Sequence, residues 1–171
     1  LESADDLSRG DFMIRLGKYF GWPHYNAYMD DGTDIDDNGE IAKTERVHNF
    51  FDVTGKNDYV KPIEAALDMG VLTAASSDEC FYPLSAMTRE DAAVILVNAF
   101  KLPKLDNDYL AAFSDAGNIS KDCYDALNTL FGYGFMRGRT NDTVNPTEAI
   151  TDTEERIIME NIGRKFVGPV W

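Results

Sequence analysis

The chain has 171 residues, a formal net charge of −14 and a sequence pI near 4.4. This negative charge repels phosphate backbones, which argues against nucleic acid as the main partner. Hydrophobic residues make up 44% of the chain, enough to bury a core. No apolar run approaches the roughly 18 residues that a membrane span needs, and the N-terminal stretch does not read as a signal peptide. We therefore expect a soluble mature protein or an excised piece of one.

The stretch LSRGDFMIRLGKYFGWP, residues 7 to 23, predicts the first helix. Ser8 followed three residues later by Asp11 is the pattern of an N-cap with an acidic partner, just before an apolar run. Arg9 then falls in the first helical turn. Trp22 at the far end either belongs to the core or stacks on a sugar face, and its place on an amphipathic helix favours the core.

Residues 34 to 45, DIDDNGEIAKTE, have the spacing of an EF-hand loop. Such a loop needs oxygen ligands at positions 1, 3, 5, 7 and 12 and a glycine at position 6. The residues at these positions are, in order, Asp34, Asp36, Asn38, Glu40, Glu45 and, for the turn, Gly39. A solvated acidic linker is the alternative. The match predicts calcium as a cofactor that would stabilise this connection.

Two further segments predict helices that end at a glycine. Apolar residues recur at helical spacing before Gly70 and again before Gly134, and a glycine after such a run is a common helix stop. The apolar positions are Tyr59, Ile63, Ala66 and Leu67 in one segment, and Tyr124, Leu127 and Leu130 in the other. Cys80 and Cys123 lack metal-site spacing; buried thiols are favoured over a disulfide, although sequence leaves both open.

The stretch MTREDAAVILVNAFKLP, residues 87 to 103, predicts a helix capped by Thr88 and Asp91. Arg89 stands in its first turn, where the helix dipole is positive and a cation costs roughly 0.3–1 kcal/mol. Two interpretations remain open. Arg89 pairs with Glu90 or Asp91 at the surface, or it forms an anion site together with the N–H groups of the helix start.

The chain repeats itself, which favours the second interpretation because arginine recurs in the first turn. An offset of 63 pairs Pro83 with Pro146, Met87 with Ile150, Thr88 with Thr151, and Ile95 with Ile158. An offset of 80 pairs Ser8 with Thr88, Arg9 with Arg89, and Asp11 with Asp91. A single helical hairpin cannot cover its own apolar face, so the units should share a core. We predict an all-α domain with a pseudo-threefold arrangement of helical hairpins.

These motifs together resemble the S-layer homology repeat: an F-x-D start, a glycine helix stop, a loop ending in YP or NP, and a T-R-x-E/D cap. The resemblance implies one compact module of a partial first repeat with the acidic linker (1–49), a second repeat (50–111) and a third (112–171). It implies a cell-surface module that anchors exported bacterial proteins to an anionic, often pyruvylated, wall polysaccharide. It also implies ligand contact in grooves between repeats. The contact residues carried over are Ser8, Arg9, Thr88, Arg89 and Glu90.

The third repeat departs from this pattern, because Asp152 stands where arginine is expected. We interpret that cap as structural. The same repeat carries Arg137 and Arg139 in a glycine-flanked loop, which either brings N–H groups and guanidinium groups to a ligand or is a solvated basic loop.

No catalytic motif stands out, so we expect a protein that is not an enzyme. The leading hypothesis is an extracellular module at the bacterial wall whose arginines bind an acidic sugar. The alternative is a module that binds other surface proteins, with calcium stabilising its linker.

Overall fold

The computed structural model describes residues 5–22, 50–55, 57–73 and 79–167. The predicted calcium loop, residues 34 to 45, lies outside these ranges. Over the described residues the regular structure is helical, and pairing of extended segments is limited to isolated bridges, in agreement with the all-α prediction. The helices are α1 (Arg9–Phe20), α2 (Val60–Asp68), α3 (Arg89–Phe100), α4 (Tyr124–Gly132) and α5 (Asp152–Ile162), with a 3-10 turn at Ala116–Asn118 and a π-helical turn at Gly163–Val167.

The chain divides into two compact units. The larger unit comprises residues 1–8 and 85–171, and the smaller unit comprises residues 9–84. In the smaller unit α1 packs against α2. Gly10 allows a close approach there, because its N–H donates to the Pro83 carbonyl at 2.8 Å and a Cβ would stand 3.0 Å from the Tyr59 ring.

The larger unit contains α3, α4 and α5, and their starts follow the predicted capping chemistry. The Thr88 hydroxyl accepts the Asp91 N–H at the start of α3. Thr151 and Glu154 form a reciprocal capping box at the start of α5, in which each side chain accepts the other's backbone N–H. A short polar motif therefore determines where each of these two helices begins.

Three buried residues in the larger unit close a ring of backbone hydrogen bonds. The Met87 N–H donates to the Leu7 carbonyl at 2.9 Å, and the Ile150 N–H donates to Met87 at 2.8 Å. The Leu7 N–H then donates to Ile150 at 3.0 Å. All three residues directly precede a helix-capping position in the repeat alignment, so the capping segments of three helices meet here.

An aspartate near the start of each of two predicted repeats holds the loop that precedes the capped helix. In the smaller unit Asp52 accepts the N–H groups of Phe81 and Tyr82, both at 2.7 Å. In the larger unit Asp115 accepts those of Val144 and Asn145, both at 2.8 Å. The F-x-D motif thus works as a loop anchor, since one carboxylate satisfies two adjacent backbone donors.

The predicted glycine stops are confirmed, with φ of +69° at Gly70 and +74° at Gly134, the left-handed region that glycine adopts without strain. Trp22 is buried, as the core interpretation predicted. Cys80 and Cys123 are free thiols, and burial raises the pKa of Cys123 to about 11. Among the described residues, no helix has the length and apolar character to cross a membrane.

Candidate ligand-binding site

A cavity of about 390 Å³ in the larger unit brings together three of the arginines that the sequence singled out. The first residue of α3, the loop of residues 134 to 139 and one face of α5 line it. Arg89, Arg137 and Arg139 all contribute to its wall. Its volume lies at the lower end of the range for small-molecule sites, about 300–1,000 Å³.

The Arg89 side chain forms the buried part of this wall and is only 1% exposed. Its Nε donates to the Val144 carbonyl at 3.1 Å, and its Nη1 donates to Glu154 Oε1 at 2.6 Å. Its Nη2 donates to the Arg137 carbonyl. Burial lowers the pKa of Arg89, and the charge of Glu154 opposes that shift. The guanidinium therefore links the start of α3 to Glu154 on α5 and to the carbonyls of Arg137 and Val144.

These contacts explain how an arginine is tolerated at a helix N-terminus. The first N–H groups of α3 also have protein partners: Arg89 donates to the Glu148 carbonyl and Glu90 to the Pro146 carbonyl, both at 2.9 Å. The backbone part of the predicted anion site is thus occupied by carbonyl oxygens of the same unit. The negative charge beside Arg89 is the internal carboxylate of Glu154, which offsets the unfavourable dipole.

Arg139 is held in place by two carboxylates. Its Nη1 donates to Glu148 Oε2 at 2.6 Å and its Nη2 to Glu154 Oε2 at 3.1 Å. Burial acts to lower the pKa of Arg139, but the hydrogen bonds and charges of Glu154 and Glu148 outweigh it and raise the pKa. Glu154 therefore bridges Arg89 and Arg139.

Arg137 differs from its two neighbours. Its carbonyl accepts from Arg89, but its side chain is exposed and makes no ion pair or hydrogen bond with any residue in the described part of the chain. In a cluster where Glu154 and Glu148 already balance Arg89 and Arg139, the Arg137 guanidinium is the uncompensated charge. It is the side chain best placed to bind an anion from outside.

The other predicted contact residues lie elsewhere. In the smaller unit, Arg9 Nε donates to the Phe81 carbonyl at 2.7 Å, and its guanidinium carbon lies 4.7 Å from the centre of the Phe81 ring. Glu90 is buried and accepts both the N–H and the hydroxyl of Ser120. Ser8 is buried, and Thr88 acts as the cap of α3. That these residues touch a ligand stays a prediction.

Glu154, which the structure places at the centre of the arginine cluster, is not among the residues predicted from the sequence. A signal was present, since Thr151 followed three residues later by glutamate is the capping-box pattern. That pattern assigns one role to the glutamate, at its own helix start. It carries no information on the two arginines that the same carboxylate also binds.

We expect stability to depend on pH through Glu154. Burial acts to raise its pKa, but the hydrogen bonds from Arg139 and the Thr151 N–H and the charge of Arg89 outweigh burial and hold it below the ordinary value of 4.5. A lowered folded-state pKa stabilises above the unfolded-state pKa, and this contribution is lost as pH falls through the folded value. Wild type should lose more unfolding free energy than Glu154→Gln between about pH 5 and pH 3.

Urea unfolding across that pH range measures this difference. Glu160→Gln, a change of an exposed acid on the same helix, is the matched control and should keep the wild-type slope. Parallel pH profiles for wild type and Glu154→Gln would contradict the expectation.

The chain is similar in sequence to one known protein family and to a surface-layer protein. Residues 112–151 match the family model of the S-layer homology domain, so this segment, the first two thirds of the predicted third repeat, confirms the resemblance. The surface-layer 125 kDa protein of Lysinibacillus sphaericus is 31% identical over 115 residues. The matched stretch covers 64% of this chain and only 9% of that much longer relative.

Proposed function

We propose that this chain is a non-catalytic module that attaches a protein to the bacterial cell wall by binding an anionic, pyruvylated wall polysaccharide. The family match and the similarity to a surface-layer protein support this function and an extracellular location. The observation that carries the proposal is the exposed guanidinium of Arg137, which has no partner among the described residues, at a cavity that Arg89 and Arg139 also line. A chain with a net charge of −14 would otherwise repel an anion.

In this proposal a carboxylate of the sugar pairs with the Arg137 fork, the geometry in which guanidinium groups bind carboxylates most strongly. Arg139, fixed by Glu148 and Glu154, contributes positive potential at the cavity rim. Arg89 has mainly a positioning role, because it donates to the carbonyl of Arg137 and thereby holds the loop in place.

We further propose three S-layer homology repeats in a pseudo-threefold arrangement. The closed ring of Leu7, Met87 and Ile150 supports it, since these residues occupy equivalent positions of the three predicted repeats. The matching contacts of Arg9 with the Phe81 carbonyl and of Arg89 with the Val144 carbonyl also support it. On this basis Arg9 marks a second anion site of the same kind.

The central test is the affinity of Arg137→Gln for purified pyruvylated wall polysaccharide, measured by isothermal titration. We expect at least tenfold weaker binding than wild type, since a charge-assisted hydrogen bond contributes roughly 1.5–3 kcal/mol. Stability should stay near the wild-type value, because the Arg137 side chain has no partner among the described residues to lose.

Arg156→Gln is the matched control, because it removes the same charge from an exposed position on α5, outside the cavity lining. It should bind as wild type does. Equal affinity of Arg137→Gln and Arg156→Gln would remove the site, and absence of binding by wild type would remove the function.

Three exposed apolar side chains favour a second candidate function, binding of neighbouring surface proteins. In the smaller unit Phe51, Tyr82 and Leu84 are 70%, 62% and 80% exposed. Large apolar side chains in solvent often mark protein interfaces. Wall fragments stripped of polysaccharide separate the two functions: retention of the chain supports a protein partner, and loss of retention supports the polysaccharide.

We also propose calcium binding by residues 34 to 45, supported by the EF-hand spacing of its oxygen ligands. Titration with Ca²⁺ should give one bound ion per chain, and Asp36→Ala should abolish binding. Asp31→Ala, an acid outside the loop, is the matched control. Calcium should raise the melting temperature of wild type but not of Asp36→Ala. No heat of binding for wild type would contradict the proposal.

A further inference from the structure

We infer that the polysaccharide continues past Arg137 into a second cavity, so that the site takes at least two linked sugar residues. This inference rests on the proposed function. The second cavity has a volume of about 350 Å³ and lies in the same unit. It shares the wall of residues Gly134, Met136, Arg137 and Gly138 with the first cavity.

Arg137 lines both cavities, so a ligand bound to it has access to either side. At Gly134 the shared wall has no side chain, and no atom beyond its two chain neighbours lies within 4 Å of the place where its Cβ would stand. A chain of linked sugars can cross there. Because the acidic sugar belongs to a polymer, its neighbour must leave the first cavity in some direction, and this opening provides one.

The lining of the second cavity has the chemistry of a sugar subsite. Phe113 and Phe131 meet edge to face with ring centres 5.4 Å apart, and both are half-buried. Half-buried rings offer apolar surface to the C–H groups of a pyranose. Asn141 is exposed, and its amide has no partner within the described ranges, so it can donate to and accept from sugar hydroxyls.

The sizes are consistent with one sugar residue in each cavity. The volume of either cavity alone lies near the lower limit for small-molecule sites. The two cavities are neighbours, because four residues line both of them. A ligand that fills both would bury more surface and more hydroxyl groups than a single acidic sugar. The second residue therefore adds affinity and selects which sugar follows the acidic one.

The test uses fragments of one, two and three sugar residues from partial hydrolysis of the purified pyruvylated polysaccharide. Wild type should bind two-residue fragments at least tenfold more tightly than one-residue fragments. Asn141→Ala should lose about three- to tenfold for two-residue fragments and keep wild-type affinity for single residues. Gly134→Asn should also weaken the binding of two-residue fragments, because asparagine tolerates a left-handed backbone and its side chain would stand between the two cavities.

Asn118→Ala, a change of an exposed asparagine outside both cavities, is the matched control and should bind every fragment as wild type does. Equal affinity of wild type for all three fragment lengths would overturn the inference while leaving the first site intact. Wild-type affinities in both Asn141→Ala and Gly134→Asn would overturn it too. If wild type bound no fragment, the proposed function and the inference would fall together.

Discussion

Replacing Arg89 by alanine should lower the free energy of unfolding by about 3–5 kcal/mol, because a large buried side chain and its three hydrogen bonds are lost together. The guanidinium is 1% exposed and binds Glu154 and the carbonyls of Val144 and Arg137. Alanine leaves both carbonyls without this donor and Glu154 with one arginine fewer. In a chain of this length the loss corresponds to a fall in melting temperature of roughly 6–20 °C.

The size of the loss in unfolding free energy shows whether Arg89 acts as a buried residue or as a surface residue. Arg89→Lys keeps the charge but cannot make the three-way fork, so we expect an intermediate loss. Arg156→Ala, at an exposed position of α5 with one ion pair to Glu160, should stay within about 0.5 kcal/mol of wild type. Urea unfolding measures all three variants. An Arg89→Ala variant as stable as Arg156→Ala would show that the buried contacts contribute nothing.

The helices could be predicted because the signals that define them are local. Thr88 and Thr151 cap α3 and α5 with hydroxyl groups that reach a backbone N–H three residues later. Gly70 and Gly134 end their helices with a positive φ that few other residues adopt without strain. In each case the partners lie within one helical turn, so spacing along the chain is a good guide to contact in space.

The partner of Arg89 could not be predicted in this way, because Glu154 lies 65 residues further along the chain. The positive end of the helix dipole at Arg89 predicts that a negative charge accompanies this arginine. The position of Arg89 in the first turn does not indicate whether that charge comes from a ligand or from the same chain. Only the fold, which brings Glu154 next to Arg89, decides between them, and it places an internal carboxylate there.

Arg137 and Arg139 have the same predicted role from the sequence, whereas their contacts in the structure differ. Arg139 is held by Glu148 and Glu154, while Arg137 has no such partner within the described ranges. The two arginines are two positions apart in one loop. They differ because only Arg139 reaches Glu154 on α5 and Glu148 in the segment before α5. Ion pairs made by loop residues follow no regular spacing along the chain, so they cannot be predicted from the sequence pattern.

Gly138→Ala should be the most damaging small change in the loop that both cavities share. A Cβ at this position would stand 2.3 Å from the Thr143 carbonyl oxygen and 2.6 Å from that of Thr140. Both are backbone atoms, so the turn of residues 138 to 143 must open to admit a methyl group. The Thr140 and Thr143 hydroxyls bond to each other at 2.6 Å across that turn and resist its opening. We expect a loss of about 1–3 kcal/mol in unfolding free energy, the usual cost of overpacking.

Gly117→Ala is the matched control, since no atom beyond its chain neighbours lies within 4 Å of its Cβ position and its backbone φ is not positive. That change should be neutral or stabilise by up to about 1 kcal/mol. Binding of the polysaccharide should weaken more than tenfold in Gly138→Ala and remain unchanged in Gly117→Ala, because only the first change moves the wall that carries Arg137. If the two alanine variants unfolded at the same urea concentration and bound equally well, the loop would have no fixed shape for the ligand to recognise. A stable Gly138→Ala that loses binding would instead place the whole effect of the substitution on the cavity wall.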